Sequence, residues 1–143
     1  KETVLYLKSK GYRVDGIGWQ GHLMNNKGLK QFVENLDEEL KKLSDLIDWA
    51  HSNKLEFHIT ELDYYNDGEN NIFNSVEKQA EVYLKLMNLL QEKSKNGLVT
   101  VNFWSMGERK SYRGKKGHYM SIYDNDTIPT KTYEVVKNFI NFN

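Results

Sequence analysis

Three times in succession the sequence passes from a short apolar run into a longer segment whose apolar residues recur every three or four positions. This alternation constrains the fold more than any other feature. Tyr12 to Gln20 reads as a strand carrying Val14 and Ile17. Leu36, Leu40, Leu43, Ile47 and Ala50 then form the stripe of an amphipathic helix, ended near Asn53 and Lys54. Leu55 to Thr60 reads as a second strand, followed by a helix marked by Val76, Ala80, Tyr83, Leu84, Met87 and Leu90 and stopped at Asn96-Gly97. Leu98 to Trp104 reads as a third strand, and a last helix runs from about Lys131 to Phe142, entered through Pro129. A short helix, Glu2 to Lys10, precedes the first unit and ends at Gly11. Strands separated by helix-length crossovers predict an α/β fold with a parallel sheet. In such folds the chemistry sits on the loops after the strand C-termini. The three such loops here are long and polar, with no linker or second domain between them.

Composition narrows the classes. The 143 residues are 38% hydrophobic and 28% charged, with a mean hydropathy of −0.74, which suits a globular chain rather than a disordered one. No apolar run approaches the roughly 18 residues of a membrane span. Lys+Arg and Asp+Glu both number 20, so nothing points to nucleic acid or an anionic membrane surface. There is no cysteine, which excludes disulfides and thiolate metal sites and leaves the compartment open. Aromatics make up 13%; a Tyr-rich core and surface explains them more readily than carbohydrate stacking does. No signal peptide is visible. The start at Lys1, without Met and inside a helical pattern, reads as a cut.

Several motifs fail on context. Gly16-Ile-Gly-Trp-Gln-Gly21 matches a dinucleotide-binding fingerprint but does not open into a helix, as pyrophosphate binding requires. In the run Asp63-x-Tyr65-x-Asp67-Gly68 the fifth position and the glycine fit a calcium loop, but the third is Tyr65 and the twelfth is Asn74, where the bidentate Glu belongs. Asn125-Asp-Thr127 is a glycosylation sequon.

The informative segment is His58-Ile-Thr-Glu-Leu-Asp63. A strand has period two, so Glu61 and Asp63 face one side. Two carboxylates brought together cost desolvation and repulsion unless a partner compensates. One acid capping the next segment, with the other solvated, also fits the spacing. Gln20 and His22 repeat the two-residue spacing at the end of the preceding strand. Neighbouring parallel strands bring His22 near both acids, where an imidazole holds and orients them, and this convergence favours a site.

These residues resemble a known family. Val14-Asp-Gly-Ile-Gly-Trp-Gln-Gly-His-Leu23 is similar to the sixth-strand motif of family 10 glycoside hydrolases, the endo-β-1,4-xylanases, and His58 to Asp63 to their seventh. Val99 to Trp104, with Lys110-Ser-Tyr-Arg113, resembles the eighth strand and its loop, and Tyr119 to Asp124 with Pro129 to Tyr133 the closing segment. The resemblance covers essentially the whole chain. It implies an α/β (β/α)8 TIM barrel of which residues 1–143 are the C-terminal portion, about strands six to eight and their helices. It implies a retaining xylanase with Glu61 as nucleophile and His22 and Asp63 as its positioning network. Gln20, Trp104, Tyr112 and Arg113 would contact sugar; Tyr112 and Glu108 depart from the family's usual Trp and Asp. The acid/base Glu has no match here and is expected in a missing N-terminal part, so the isolated chain is expected to be inactive. Xylan or a xylo-oligosaccharide is the expected substrate, no metal or cofactor is implied, and a polymeric substrate implies a secreted or cell-surface protein. A non-catalytic polysaccharide-binding relative and a β-1,4-glucanase on the same barrel are the alternatives.

Overall fold

The computed structural model describes residues 1–24, 32–66, 75–104, 109–110, 118–120, 122–123 and 128–140. In chain order these form α1 (Glu2–Ser9), β1 (Gly16–Trp19), β2 (His22–Met24), α2 (Leu36–Ser52), β3 (Glu56–Asn66), α3 (Val76–Lys93), β4 (Val99–Phe103), β5 (Arg109–Lys110), β6 (His118–Met120) and α4 (Lys131–Ile140). No helix among the described residues is long and apolar enough to cross a membrane.

The helices form where the periodicity placed them, and each has a local reason to start or stop. α2 buries Leu36, Leu40, Leu43, Ile47 and Ala50, one stripe, and carries Asp37, Glu38 and Glu39 in its first turn, where the helix dipole favours negative charge. α3 starts on Ser75, whose side chain accepts the Lys78 N–H at 3.0 Å. α1 and α2 end in the same device. After α1, Gly11 has φ 80°, with Tyr12 N–H donating to Leu7 O and Gly11 N–H to Lys8 O. After α2, Lys54 takes the equivalent place with φ 57°, and Leu55 N–H donates to Ala50 O and Lys54 N–H to His51 O. Both are Schellman turns, which need a left-handed residue just past the helix. Each one feeds the chain towards the next strand.

The sheet is built around β3. β1 lies parallel to it, Gly16 opposite Glu56 and Trp19 opposite Ile59. β2 continues along the same edge, His22 opposite Asp63. β4 lies parallel on the other edge, Phe57 opposite Val99 and Leu62 opposite Phe103. The expected parallel core is therefore present, with three departures. The first strand begins at Gly16, not Tyr12. The second runs six residues past Thr60, because beyond the end of β4 its edge is taken by β6, antiparallel, Tyr64 opposite Met120, and β6 in turn pairs with β5. Part of the segment expected as a loop thus returns as strand. Third, β1 and β2 are one strand interrupted at Gln20-Gly21, where Gly21 has φ 76°.

The core lies between one face of this sheet and the helices. Phe57, Ile59, Leu62 and Tyr64 of β3 meet Leu43 and Ile47 of α2, Val82, Leu86 and Leu90 of α3, and Val136 of α4. The opposite face is a different surface: Gly16, Gly18, His58, Thr60, Thr100 and Asn102, all at least partly exposed. α1 contributes no buried residue.

Candidate active site at the strand ends

Burial along β3 changes parity. Phe57 and Ile59 are buried on the helix side, then Leu62 and Tyr64. Four residues of β3, Ile59 to Leu62, face three of β4, Val101 to Phe103. The same extra residue appears against the other edge, where Trp19 to His22 is matched by Ile59 to Asp63. This is a β-bulge at Thr60-Glu61, a device that re-aims side chains next to functional sites. In an unbroken strand Glu61 would share the apolar face of Phe57 and Ile59. The bulge turns Glu61 and Asp63 to the other face.

His22 joins them. Its Nε2 lies 2.9 Å from Glu61 Oε2 and its Nδ1 lies 3.0 Å from Asp63 Oδ1. One imidazole bridges two carboxylates from the adjacent strand. Backbone bonds fix this approach: Glu61 N–H donates to Gln20 O at 2.9 Å and Asp63 N–H to Gly21 O at 3.4 Å. Gly21 is required twice over, for its positive φ and because a Cβ there would lie 2.9 Å from Ile59 Cγ2.

The electrostatics follow from unequal burial. Asp63 is 5% exposed, whereas His22 and Glu61 side chains are about a quarter exposed, at 25% and 26%. Burial raises the Asp63 carboxyl, the neighbouring Glu61 charge adds to this, and the His22 contact opposes it. For His22, burial opposes the cation, but the hydrogen bonds and charges of Asp63 and Glu61 together outweigh it and raise the imidazole above its ordinary value. A protonated His22 donates from both nitrogens and satisfies both acids. Such a site holds a carboxylate in one position, in a defined charge state, at a strand end open to solvent.

The remaining candidates are less uniform. Trp104 follows β4, its N–H donating to Leu62 O at 3.0 Å; its ring stands edge-on to His22 at 5.9 Å and is 58% exposed. It presents a bare aromatic face beside the carboxylates. Gln20 has an exposed side chain and enters the site through its carbonyl. Tyr112 and Arg113 lie outside the described residues, as do Asp67, Gly68 and the sequon at Asn125. The Gly16 to Gly21 fingerprint leads into β2 rather than a helix. Among the described residues no group of three His, Cys, Asp or Glu side chains is arranged to hold a metal ion. A separate cavity of about 280 Å³ between α2 and α3 is lined by Glu34, Asp37, Lys78, Glu81 and Lys85, and both lysines are engaged, Lys85 by Asp37 and Lys78 by Glu81, each at 2.8 Å.

Parallel strands backed by helices, with a bridged carboxylate pair at their C-terminal ends, define part of a (β/α)8-barrel protein with its site at the top of the sheet. The sequence profile of Glycosyl hydrolase family 10 matches residues 1–139, and the chain belongs to that family. It is 29% identical over 152 residues to a β-1,4-xylanase of Dictyoglomus thermophilum, covering 95% of this chain and 40% of that protein. It is 31% identical over 115 residues to endo-1,4-beta-xylanase A of Thermoanaerobacterium saccharolyticum, covering 80% of this chain and 9% of that protein. The crystal structure of xylanase 10B from Thermotoga petrophila in complex with xylobiose superposes with a TM-score of 0.64 at 25% identity, over 99% of this chain and 40% of that one. The chain spans less than half the length of the relatives it matches. Residues expected to form strands six to eight of such a barrel correspond to β1 with β2, β3 and β4.

Proposed function

We propose that this chain supplies the nucleophile side of the cleft of a retaining endo-β-1,4-xylanase, with Glu61 as nucleophile. The observation that carries this reading is the His22 bridge, which holds Glu61 through Oε2 and leaves Oε1 to attack. In the first step Glu61 Oε1 bonds to the anomeric carbon as the glycosidic C–O bond breaks, and the departing oxygen takes a proton from a carboxylic acid about 5–5.5 Å away. In the second, water attacks the same carbon, gives its proton to that acid's carboxylate, and releases Glu61. His22, held cationic by Asp63, stabilises the Glu61 carboxylate before attack and as a leaving group. The proton donor is proposed to come from the remainder of the barrel, outside these residues. Trp104, Gln20, Tyr112 and Arg113 would contact the sugar. A polymeric substrate makes a secreted or surface location the natural one.

The test is Glu61→Gln in the full-length protein, which keeps the shape and removes the charge. Turnover of xylan is expected to fall roughly a thousandfold or more with polymer binding retained, and a 2-fluoroxyloside inactivator is expected to label Glu61 in the parent. A labelled residue elsewhere, or near-normal turnover in the variant, overturns the assignment. Faster hydrolysis of cellulose than of xylan would make the protein a β-1,4-glucanase, and xylan binding without hydrolysis by the parent would make it a binding relative.

A further inference from the structure

The pairing on either side of the bulge does not by itself say where the extra residue goes. Below it Phe57 stands opposite Val99, and above it Leu62 stands opposite Phe103, so six residues of β3 face five of β4. With both ends unmoved, the extra residue can be taken up at Thr60-Glu61 or one pair earlier, at His58-Ile59. In the earlier position Glu61 would pair regularly opposite Asn102. It would leave the bulge that re-aims it, and its carboxylate would move relative to His22 on the other edge. What separates the two arrangements is the pairing of His58 with Thr100 and of Ile59 with Val101, which exists only when the bulge lies beyond them.

Each face of the sheet has one tie at these rows. Ile59 is held in the core on the helix face. On the cleft face His58 Nδ1 lies 2.8 Å from Thr100 Oγ1. Glu56 Oε2 lies 3.2 Å from the other ring nitrogen; it favours the proton there and leaves Nδ1 to accept from the Thr100 hydroxyl. β1 offers no side chain to help, since Gly16 stands opposite Glu56 and Gly18 opposite His58. A Cβ on Gly16 would lie 2.9 Å from His58 Nε2, so the glycine leaves the ring its place. Thr60 reaches only the Trp19 carbonyl, at 3.5 Å.

We infer that His58 and Thr100 are positioning residues for the nucleophile, their side-chain bond fixing the bulge of β3 at Thr60-Glu61. This rests on Glu61 being the nucleophile. His58 lies three residues before Glu61 and acts through the backbone between them.

The experiment uses the full-length protein and a nitrophenyl xylobioside. Thr100→Val keeps the shape and removes the hydroxyl. The kcat is expected to fall roughly tenfold with KM nearly unchanged, because the attacking group is misplaced while the sugar contacts remain. Labelling of Glu61 by a 2-fluoroxyloside slows in parallel, and Thr100→Ser restores both rates. His58→Ala matches Thr100→Val, and the double variant loses no more than either alone. Leu86→Ala, in the core on α3, lowers Tm and leaves kcat at the parent's value, so lost stability alone does not imitate the effect. Parental kcat in a folded Thr100→Val, an equal loss in Thr100→Ser, or losses that multiply in the double variant overturn the lock. Should Thr100→Val not fold, His58→Ala is read against His58→Asn, whose amide oxygen stands in for Nδ1; failure of the Asn variant to recover kcat overturns the lock as well. Glu61→Gln is assayed beside them. If it is inactive while Thr100→Val matches the parent, only the lock fails, whereas an active Glu61→Gln removes the nucleophile on which the lock depends.

Discussion

His22 is the residue on which the site turns, because it is the only described side chain bonded to both carboxylates. His22→Ala leaves Asp63, buried by β3's neighbours, without its cationic partner. The sign of the resulting pH dependence is fixed by two raised values. The imidazole is raised above its ordinary range, so its pairing contributes fully below that range and is lost as pH climbs through the raised value. The Asp63 carboxyl is also raised, burial being the main cause, so the cost of an unpartnered anion appears only above the ordinary carboxylate range. The variant is therefore destabilised most near pH 6, by about 1–3 kcal/mol, and by less near pH 3 and pH 9. Melting curves across pH check this, and a flat difference would mean the ring acts through packing alone. Activity is expected to drop by about a hundredfold, the scale of a 1 Å misplacement of the attacking group. Gly21→Ala reaches the same site through the backbone. A left-handed φ costs a non-glycine residue about 1–2 kcal/mol, and the added methyl meets Ile59. Its repair shifts Gln20 and Gly21 carbonyls away from Glu61 and Asp63, so turnover falls more than Tm does.

At the scale of elements, the helix ends offer a clean comparison. Gly11 and Lys54 occupy the same position of the same turn, yet only one is glycine. Lys54 is exposed, and its turn is kept by Leu55, which is buried and bonded back to Ala50. Lys54→Gly is expected to stabilise the full-length protein by about 0.5–1 kcal/mol, a rise of a few degrees in Tm, with unchanged activity. No gain would show that the turn's strain is already relaxed. The stripe of α2 was legible because each buried residue follows the helical period; that of α3 was legible only in part, since Leu84, expected inside it, is exposed, while Val82 and Leu86, which were not marked, are fully buried. The meeting of His22 with Glu61 and Asp63 was legible from matched spacing on neighbouring strands. The bulge was not recognised, although it leaves a trace: apolar positions fall on odd numbers at Phe57 and Ile59, then on even numbers at Leu62 and Tyr64. Strict period two put both acids on one face but could not say which. The extension of β3 to Asn66 was hidden because its pairing partner, β6, lies more than fifty residues along the chain and has no strand-like pattern of its own.

At the scale of the molecule, the two faces of the sheet are finished differently. The helix face is closed by α2, α3 and α4, but the other face presents Gly18, Thr60 and Asn102 to solvent. Among the described residues β1 and β4 each pair on one edge only, with β3. Parallel strands are ordinarily covered on both faces and continued by neighbours, and an open edge invites association. α1 exposes Leu5 and Tyr6, and Leu98 and Ile140 are likewise more than half exposed or nearly so. A (β/α)8 barrel takes about 250 residues, and in one the glycines of β1 would lie under side chains from strands across the lumen. The His58 ring is a local sign of the same thing: it bonds Thr100 Oγ1 at 2.8 Å on this inner face and would sit inside a closed barrel. Residues 1–143 expressed alone are therefore expected to melt without a sharp transition, to associate, and to leave xylan intact. The retaining chemistry proposed above gives an independent reason for the last point, since Glu61 and Asp63 are both bonded to His22 and neither would serve as the opposing proton donor. Supplying the remaining strands, by co-expression of a segment that carries them, is expected to restore a cooperative melt and hydrolysis together. A monomer of these residues that melts sharply and hydrolyses xylan would mean that the open face is finished and that the donor lies within this chain.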